Sequence, residues 1–236
     1  MMRRSFLRLL ICVVLLGLYV NPVYAAPVDE SQWEVPFLGV MKGPAGFTVV
    51  DLEQWMKQLE PALNPVNVQK EGITAVPMSK FDKMQLPPEV KIYQLQVDSG
   101  NAYHIAWALV FKDNKPAAVN VAGYFAPAQQ EFIDKINGML QVGMKEIENQ
   151  SEKTGIVKVK VLNLAPVARL DGSSEVVYSV GGRLIIDSKG MIIPLYMKNY
   201  FFNREGKLVS ATIVTSDSDG EFWRDMSDQL FVTVAH

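Results

Sequence analysis

The sequence predicts an α+β protein with a central antiparallel β-sheet flanked by helices. Three observations predict it. Residues 91–111 hold two runs of period-two alternation separated by a short polar turn, as adjacent antiparallel strands do. Between residues 132 and 147 apolar side chains recur at helical spacing instead. From residue 157 the two-residue period returns, punctuated by polar turns, until a closing helix begins near residue 218.

The elements follow in order. Residues 26–50 carry Pro36, Gly43, Pro44 and Gly46 and read as loop-rich, with one short strand near Phe47–Val50. Asp51 to Leu63 reads as a short helix with Asp51 as N-cap, because Leu52, Trp55, Met56 and Leu59 share a face. Pro61 and Pro65 bound it. Residues 64–90, with Pro77, Pro87 and Pro88, read as a connector with one turn of helix at Ser79–Met84. This organisation divides the chain into a leader (1–25), a loop-rich N-terminal segment with one short helix (26–90) and a single α+β domain (91–236).

In KIYQLQV, Tyr93, Leu95 and Val97 share a face, and Asp98–Asn101 is a turn. In AYHIAWALVF the shared face is Tyr103, Ile105, Trp107, Leu109 and Phe111. Asp113–Pro116 then turns into a third strand in AAVNVAGYF, completing a meander. The helix from Pro127 to Asn149 carries Phe132, Ile136, Met139, Leu140, Gly143, Met144 and Ile147 on one face and is expected to cover one side of the sheet. Gly138 and Gly143 weaken it by roughly 1 kcal/mol each and are expected to permit close approach to a neighbour. Val157, Val159 and Val161 alternate with Lys158 and Lys160, which reads as the wet face of a strand. The pattern breaks at Asn163, at the strand's end or at a bulge.

Asp171-Gly172 is a turn, and Glu175–Asp187 is a strand or a kinked pair broken at Gly181-Gly182. Met191–Phe202 and Lys207–Thr215 are strands joined by the turn Asn203–Gly206. The last element is a helix with Ser218 and Glu221 as a capping box and Phe222, Trp223, Met226 and Leu230 as its buried stripe.

The N-terminus has the three parts of a secretory leader. Arg3, Arg4 and Arg8 stand unopposed by acids, Phe6–Val20 is almost wholly apolar, and Val23-Tyr24-Ala25 is a small-residue cleavage pattern. Cleavage is expected after Ala25. An uncleaved anchor would need roughly 20 apolar residues in helix, and this run is shorter and ends in Pro22. A lipid anchor would need a small residue before its cysteine, whereas Ile11 precedes Cys12. Removing 25 of the 236 residues leaves 211, and losing the three arginines takes the formal charge from -2 to -5.

That acidic chain lacks the clustered Lys and Arg of a nucleic-acid binder. Its only cysteine leaves with the leader, which excludes disulfides, thiolate nucleophiles and cysteine-ligated zinc. Export without disulfides suits a bacterial cell envelope.

Candidate chemistry is sparse. Thr215–Trp223 resembles a calcium loop only in Asp217, Asp219 and Gly220. Thr215 and Met226 fall at the first and twelfth positions, where acids are required, so helix capping is the expected role. His104 is the only histidine besides His236, and no partner acid stands beside it in sequence. It reads as a packed or edge histidine ahead of a lone general base. No G-x-S-x-G elbow or phosphate loop occurs. Asp113, Asp171 and Asp187 sit at predicted turns, where aspartate is structural. Trp107 and Trp223 fall at core positions, whereas Trp33 lies in a polar, loop-like stretch and is the candidate partner contact.

The C-terminal half carries a family resemblance. The helix Pro127–Asn149 leads into a strand ending at Asp171-Gly172. The aromatic hairpin YFFNREGKL (Tyr200–Leu208) and a helix opening with Phe222 and Trp223 follow. Over residues 127–236 this resembles the superfamily of the PsbP photosystem accessory proteins and the bacterial envelope protein DcrB. The resemblance implies an α/β/α sandwich and a non-enzymatic accessory or binding role, with no catalytic residue to carry over.

The expected function is therefore an exported, non-enzymatic accessory or binding protein of the bacterial cell envelope. Its expected partner is another envelope protein, with no cofactor, metal, nucleic acid or stable membrane anchor. Two alternatives stay open: a carrier of an apolar small ligand held between sheet and helix, and a hydrolase using carboxylates that sequence order does not identify.

Overall fold

The structure is a computed structural model that describes residues 32–54, 89–112, 130–154, 158–173, 175–188 and 190–234. The leader, most of the Asp51–Leu63 helix, the 64–88 connector, Asp113 and the third meander strand lie outside the described residues. The described chain is mostly one large antiparallel sheet with few helices, an α+β arrangement. Strands β1 (Gln32–Val35) and β2 (Gly39–Lys42) form a separate hairpin. The sheet comprises β3 (Phe47–Asp51), β4 (Val90–Asp98), β5 (Tyr103–Lys112), β6 (Lys158–Leu164), β7 (Ala168–Arg169), β8 (Tyr178–Ser188), β9 (Met191–Arg204) and β10 (Lys207–Ser216). Its order is β3-β4-β5-β10-β9-β8-β6, with β7 also beside β8. The helices are α1 (Gln130–Thr154) and α2 (Gly220–Val232), the latter entered through a 3-10 turn at Asp217–Asp219. Among the described residues no helix is long and apolar enough to cross a membrane.

Local chemistry explains the connections. Asp51 accepts hydrogen bonds from the backbone N–H groups of Glu53 (2.8 Å) and Gln54 (3.1 Å), the N-cap its position predicts. The β9–β10 hairpin turns through Glu205 and Gly206, both at positive φ (55° and 75°), as a two-residue turn between twisted strands requires. The Asn163 break is a bulge: the β6–β8 register shifts between Val161 and Asn163, and pairing then continues to Leu164. Strand β8, by contrast, runs unbroken through Gly181-Gly182.

Both sheet faces are buried, and period two sorts the side chains between them. One face, here the hairpin face, carries Tyr93, Leu95 and Val97 of β4, Ala106, Ala108 and Val110 of β5, and Val209, Ala211 and Ile213 of β10. The β1–β2 hairpin and the Trp223, Met226, Leu230 and Phe231 side chains of α2 pack there, forming the largest core. On β5 it is the alanines, 0% exposed, that meet this core; the predicted large face does not. Small side chains there leave room for two packed elements. Trp107 and Leu109 join Leu52, Val90 and Ile92 in a separate cluster on the opposite face, and Tyr103 is exposed.

Trp33 is corrected most sharply. It is 2% exposed and packs edge-on against Tyr93 (5.2 Å between centroids) and beside Phe231 (6.3 Å), so it is a core residue and no surface contact. The loop-like reading of residues 26–50 missed β1 and β2, because a four-residue strand offers too few alternations to register. The described part of that segment shares the main core, and β3 pairs with β4. The predicted boundary at residue 90 therefore separates nothing among the described residues.

Helix α1 runs to Thr154, past the predicted end at Asn149. Its last turns are tied to β6: the Ser151 hydroxyl accepts from Val159 N–H (2.9 Å), and Glu148 Oε1 accepts from Val161 N–H (2.6 Å). Strand β6 ends the sheet, so these side chains satisfy donors on an open edge. Leu140 and Ile133 pack against the Val167, Tyr178 and Val180 cluster, and Met144 against the Leu184, Ile186 and Met197 cluster, both opposite the hairpin face. Phe132, Ile136, Met139 and Ile147 lie outside the described side chains. Among the described residues nothing lies within 4 Å of a Cβ placed at Gly138 or Gly143, so neither glycine serves a close approach there.

A groove beside helix α2

On the hairpin face, beyond the end of the core, β8 and β9 present Ser179, Gly181 and Arg183 beside Tyr196, Lys198 and Tyr200. Helix α2 and the residues joining β6 to β7 rise on either side, enclosing a groove of about 320 Å³. Tyr196 is among the residues that line it. A Cβ at Gly220, the first residue of α2, would lie 2.9 Å from Tyr196 Cβ, and one at Gly181 would lie 2.8 Å from the phenol oxygen. The ring thus occupies a slot that two glycines keep open. Gly182 has its own neighbour, since a Cβ there would lie 2.6 Å from the carbonyl oxygen of bulged Asn163. The Gly-Gly pair is explained by close approach in a continuous strand.

The cations around the groove are paired. Lys198 Nζ donates to both carboxylate oxygens of Asp228, at 2.6 and 2.7 Å. The Tyr200 hydroxyl donates to Asp228 Oδ1 (2.7 Å), with Ser227 Oγ 2.6 Å from the same phenol. Arg183 Nε lies 3.0 Å from Asp217 Oδ1, a charge contact without hydrogen-bond alignment. Arg224 bonds Asp225 through Nε (2.8 Å), which holds that carboxyl below the usual carboxylate range. Burial, with Asp228 nearby, pushes the Tyr196 phenol up to about 12. The same causes in the same order raise Tyr200 well above its ordinary value. Both phenols are neutral donors across the physiological range.

The 3-10 turn leads into α2, which meets the groove at Gly220. Asp217 faces Arg183 of β8, while Asp219 Oδ1 lies 3.3 Å from His104 Nδ1 of β5. The His104 ring stacks on Phe222 at 3.7 Å between centroids, 9° from parallel. The acids that suggested a calcium loop thus face Arg183 and His104. Among the described residues no group of three or more His, Cys, Asp or Glu is gathered for a metal ion. The capping box does not form: Asp219 is the N-cap, no side chain caps α2, and Ser218 Oγ pairs with Ser216 Oγ at 2.8 Å. The 3-10 turn displaces the helix start by one residue, so Ser218 no longer stands where a cap must.

Other sequence candidates are structural. Asp187 accepts from Gly190 N–H in the β8–β9 turn (2.9 Å), Asp171 lies in its predicted turn, and Trp223 is fully buried. Trp55 and His236 lie outside the described residues. Sequence reasoning missed Arg183, Tyr196, Lys198, Arg224 and Asp228. One signal was present: Lys198 falls in register with Tyr196, Tyr200 and Phe202 on a buried strand face, where a lysine requires a carboxylate.

No protein-family model matches the sequence, and neither does any curated protein. Among solved structures, a Pseudomonas aeruginosa protein of unknown function, PA94, is 15% identical, with 65% of this chain and 86% of that chain covered and a TM-score of 0.36. A likeness at that level carries no argument about either fold or function.

Proposed function

We propose that the protein is an exported, non-enzymatic binding or accessory module of the bacterial cell envelope and that the groove beside α2 is its binding surface. The observation that carries this reading is the groove's composition. It is preformed, and its three cations, Arg183, Lys198 and Arg224, are each matched to an aspartate. Hydrolysis by paired carboxylates needs two converging free acids, whereas of the four acids around the groove Asp217, Asp225 and Asp228 each face a cation and only Glu221 does not among the described residues. Such an arrangement favours orienting a ligand over changing it. The charged side chains at the groove, Arg183, Lys198, Glu221 and Arg224, favour a ligand or partner with a polar group over the apolar-carrier alternative.

Export rests on the leader, and N-terminal sequencing of the protein recovered from cells is expected to begin at Ala26. The α/β/α sandwich implied by the PsbP/DcrB resemblance is supported by α1 side chains packing opposite the hairpin face and α2 side chains packing on it. The binding reading is tested by photocrosslinking in cells from Glu221 at the groove, with Val142, 67% exposed on α1, as control. One dominant adduct from position 221 and none from 142 is expected. No adduct, or equal adducts from both, overturns the reading.

A further inference from the structure

We infer that the groove takes the carboxylate group of a small molecule, held by the Tyr196 hydroxyl, Arg183, Arg224 and the first turn of α2. The inference rests on the groove being the binding surface and adds the chemical class of what it binds.

Three independent features converge on it. Tyr196 is only 9% exposed, its hydroxyl borders the groove, and among the described residues that hydroxyl has no hydrogen-bond partner. A phenol with a buried ring and an oxygen that no protein group engages presents its O–H to an acceptor in the groove. Helix α2 begins at the groove with Gly220 and Glu221 and carries no side-chain cap, because Asp219 is turned towards His104. The Gly220 N–H is held by the Asp217 carbonyl, but the positive end of the helix dipole at Glu221 still favours an anion.

The two arginines keep donors in reserve. Arg183 contacts Asp217 through Nε, and Arg224 contacts Asp225 through Nε and Nη2. The remaining terminal nitrogens are suited to a planar carboxylate. Both side chains are half exposed, so these ion pairs are weak and yield readily to a ligand. Lys198 is not part of the donor set, being buried and held by both oxygens of Asp228. The nearby acids Asp217, Glu221 and Asp225 limit how much negative charge the site accepts, which favours a singly charged carboxylate over a phosphate dianion.

The test is an NMR titration of the protein from residue 26 onward with acetate, succinate, benzoate, inorganic phosphate and neutral succinamide. At least one carboxylate is expected to shift the amides of Gly181, Gly220 and Glu221 saturably, with phosphate weaker and succinamide inert. Tyr196→Phe, which removes one oxygen from a charged hydrogen bond, is expected to weaken carboxylate binding about tenfold or more. Arg183→Gln, at a half-exposed site, is expected to weaken it similarly and keeps the test open if Tyr196→Phe does not fold. The inference is overturned if no carboxylate saturates, if phosphate or succinamide binds as well as the best carboxylate, or if Arg183→Gln binds like the parent. A persistent Glu221 crosslink without carboxylate binding would sink this inference alone. Saturable carboxylate binding without a crosslink would sink the partner reading and leave this one standing.

Discussion

At Tyr196 the environment is set by what its neighbours lack. Two glycines leave the ring its slot, and a methyl group at Gly181 would press on the phenol oxygen at 2.8 Å. Gly181→Ala is therefore expected to cost about 1–3 kcal/mol as overpacking. Most of that cost should vanish in a Tyr196→Phe background, where the contacted oxygen is gone. A double-mutant cycle by urea denaturation measures the coupling, and simple additivity would contradict the contact. The same phenol shapes the alkaline limit of stability. Tyr196 ionises near 12 when folded against 10.0 unfolded, and Tyr93 and Tyr200 are raised in the same direction. Above pH 10 the unfolded chain releases these protons first, so the stability they contribute is intact below pH 10 and lost as pH rises through the folded values. Tyr196→Phe should reduce that slope by up to one proton, read from denaturation midpoints between pH 9 and 12.

At the scale of elements, helix ends explain more than helix middles. The Ser151 hydroxyl, buried at the end of α1, accepts the outward N–H of Val159 on an edge strand. Ser151→Ala orphans that donor and is expected to cost about 1–3 kcal/mol. Ser218 makes the opposite case. A true N-cap would cost about 1 kcal/mol on removal, but Ser218 caps nothing and bonds only Ser216 in solvent. Ser218→Ala is expected to change stability by less than about 0.5 kcal/mol. Measured by denaturation side by side, the two serines should separate clearly; equal costs would contradict the assigned roles.

Over the whole molecule, the β1–β2 hairpin behaves as part of the core despite standing outside the main sheet. Trp33, Val35, Leu38 and Met41 are all at most 2% exposed, and they cover Tyr93 and Phe231. Trp33→Ala is expected to cost about 3–5 kcal/mol, a large share of a typical domain's 5–15 kcal/mol. Trp33→Phe should cost much less, since the indole N–H has no partner to lose. Thermal and urea unfolding of the two variants would check this, and a mild effect of Trp33→Ala would contradict the packing.

What the sequence by itself determined is local. The alternations of β4 and β5, the strands β9 and β10, the break at Asn163, the N-cap at Asp51 and the turn within Asn203–Gly206 were legible because each depends on residues a few positions apart. The tertiary structure alone decided which face of β5 meets the main core, where Trp33 goes and which charges meet. Lys198 and Asp228 are 30 residues apart and His104 and Asp219 are 115 apart, so sheet order and the docking of α2 bring them together. The groove belongs to this second class. Periodicity reports which side chains share a face, but only the packing of one element on another sets what that face touches.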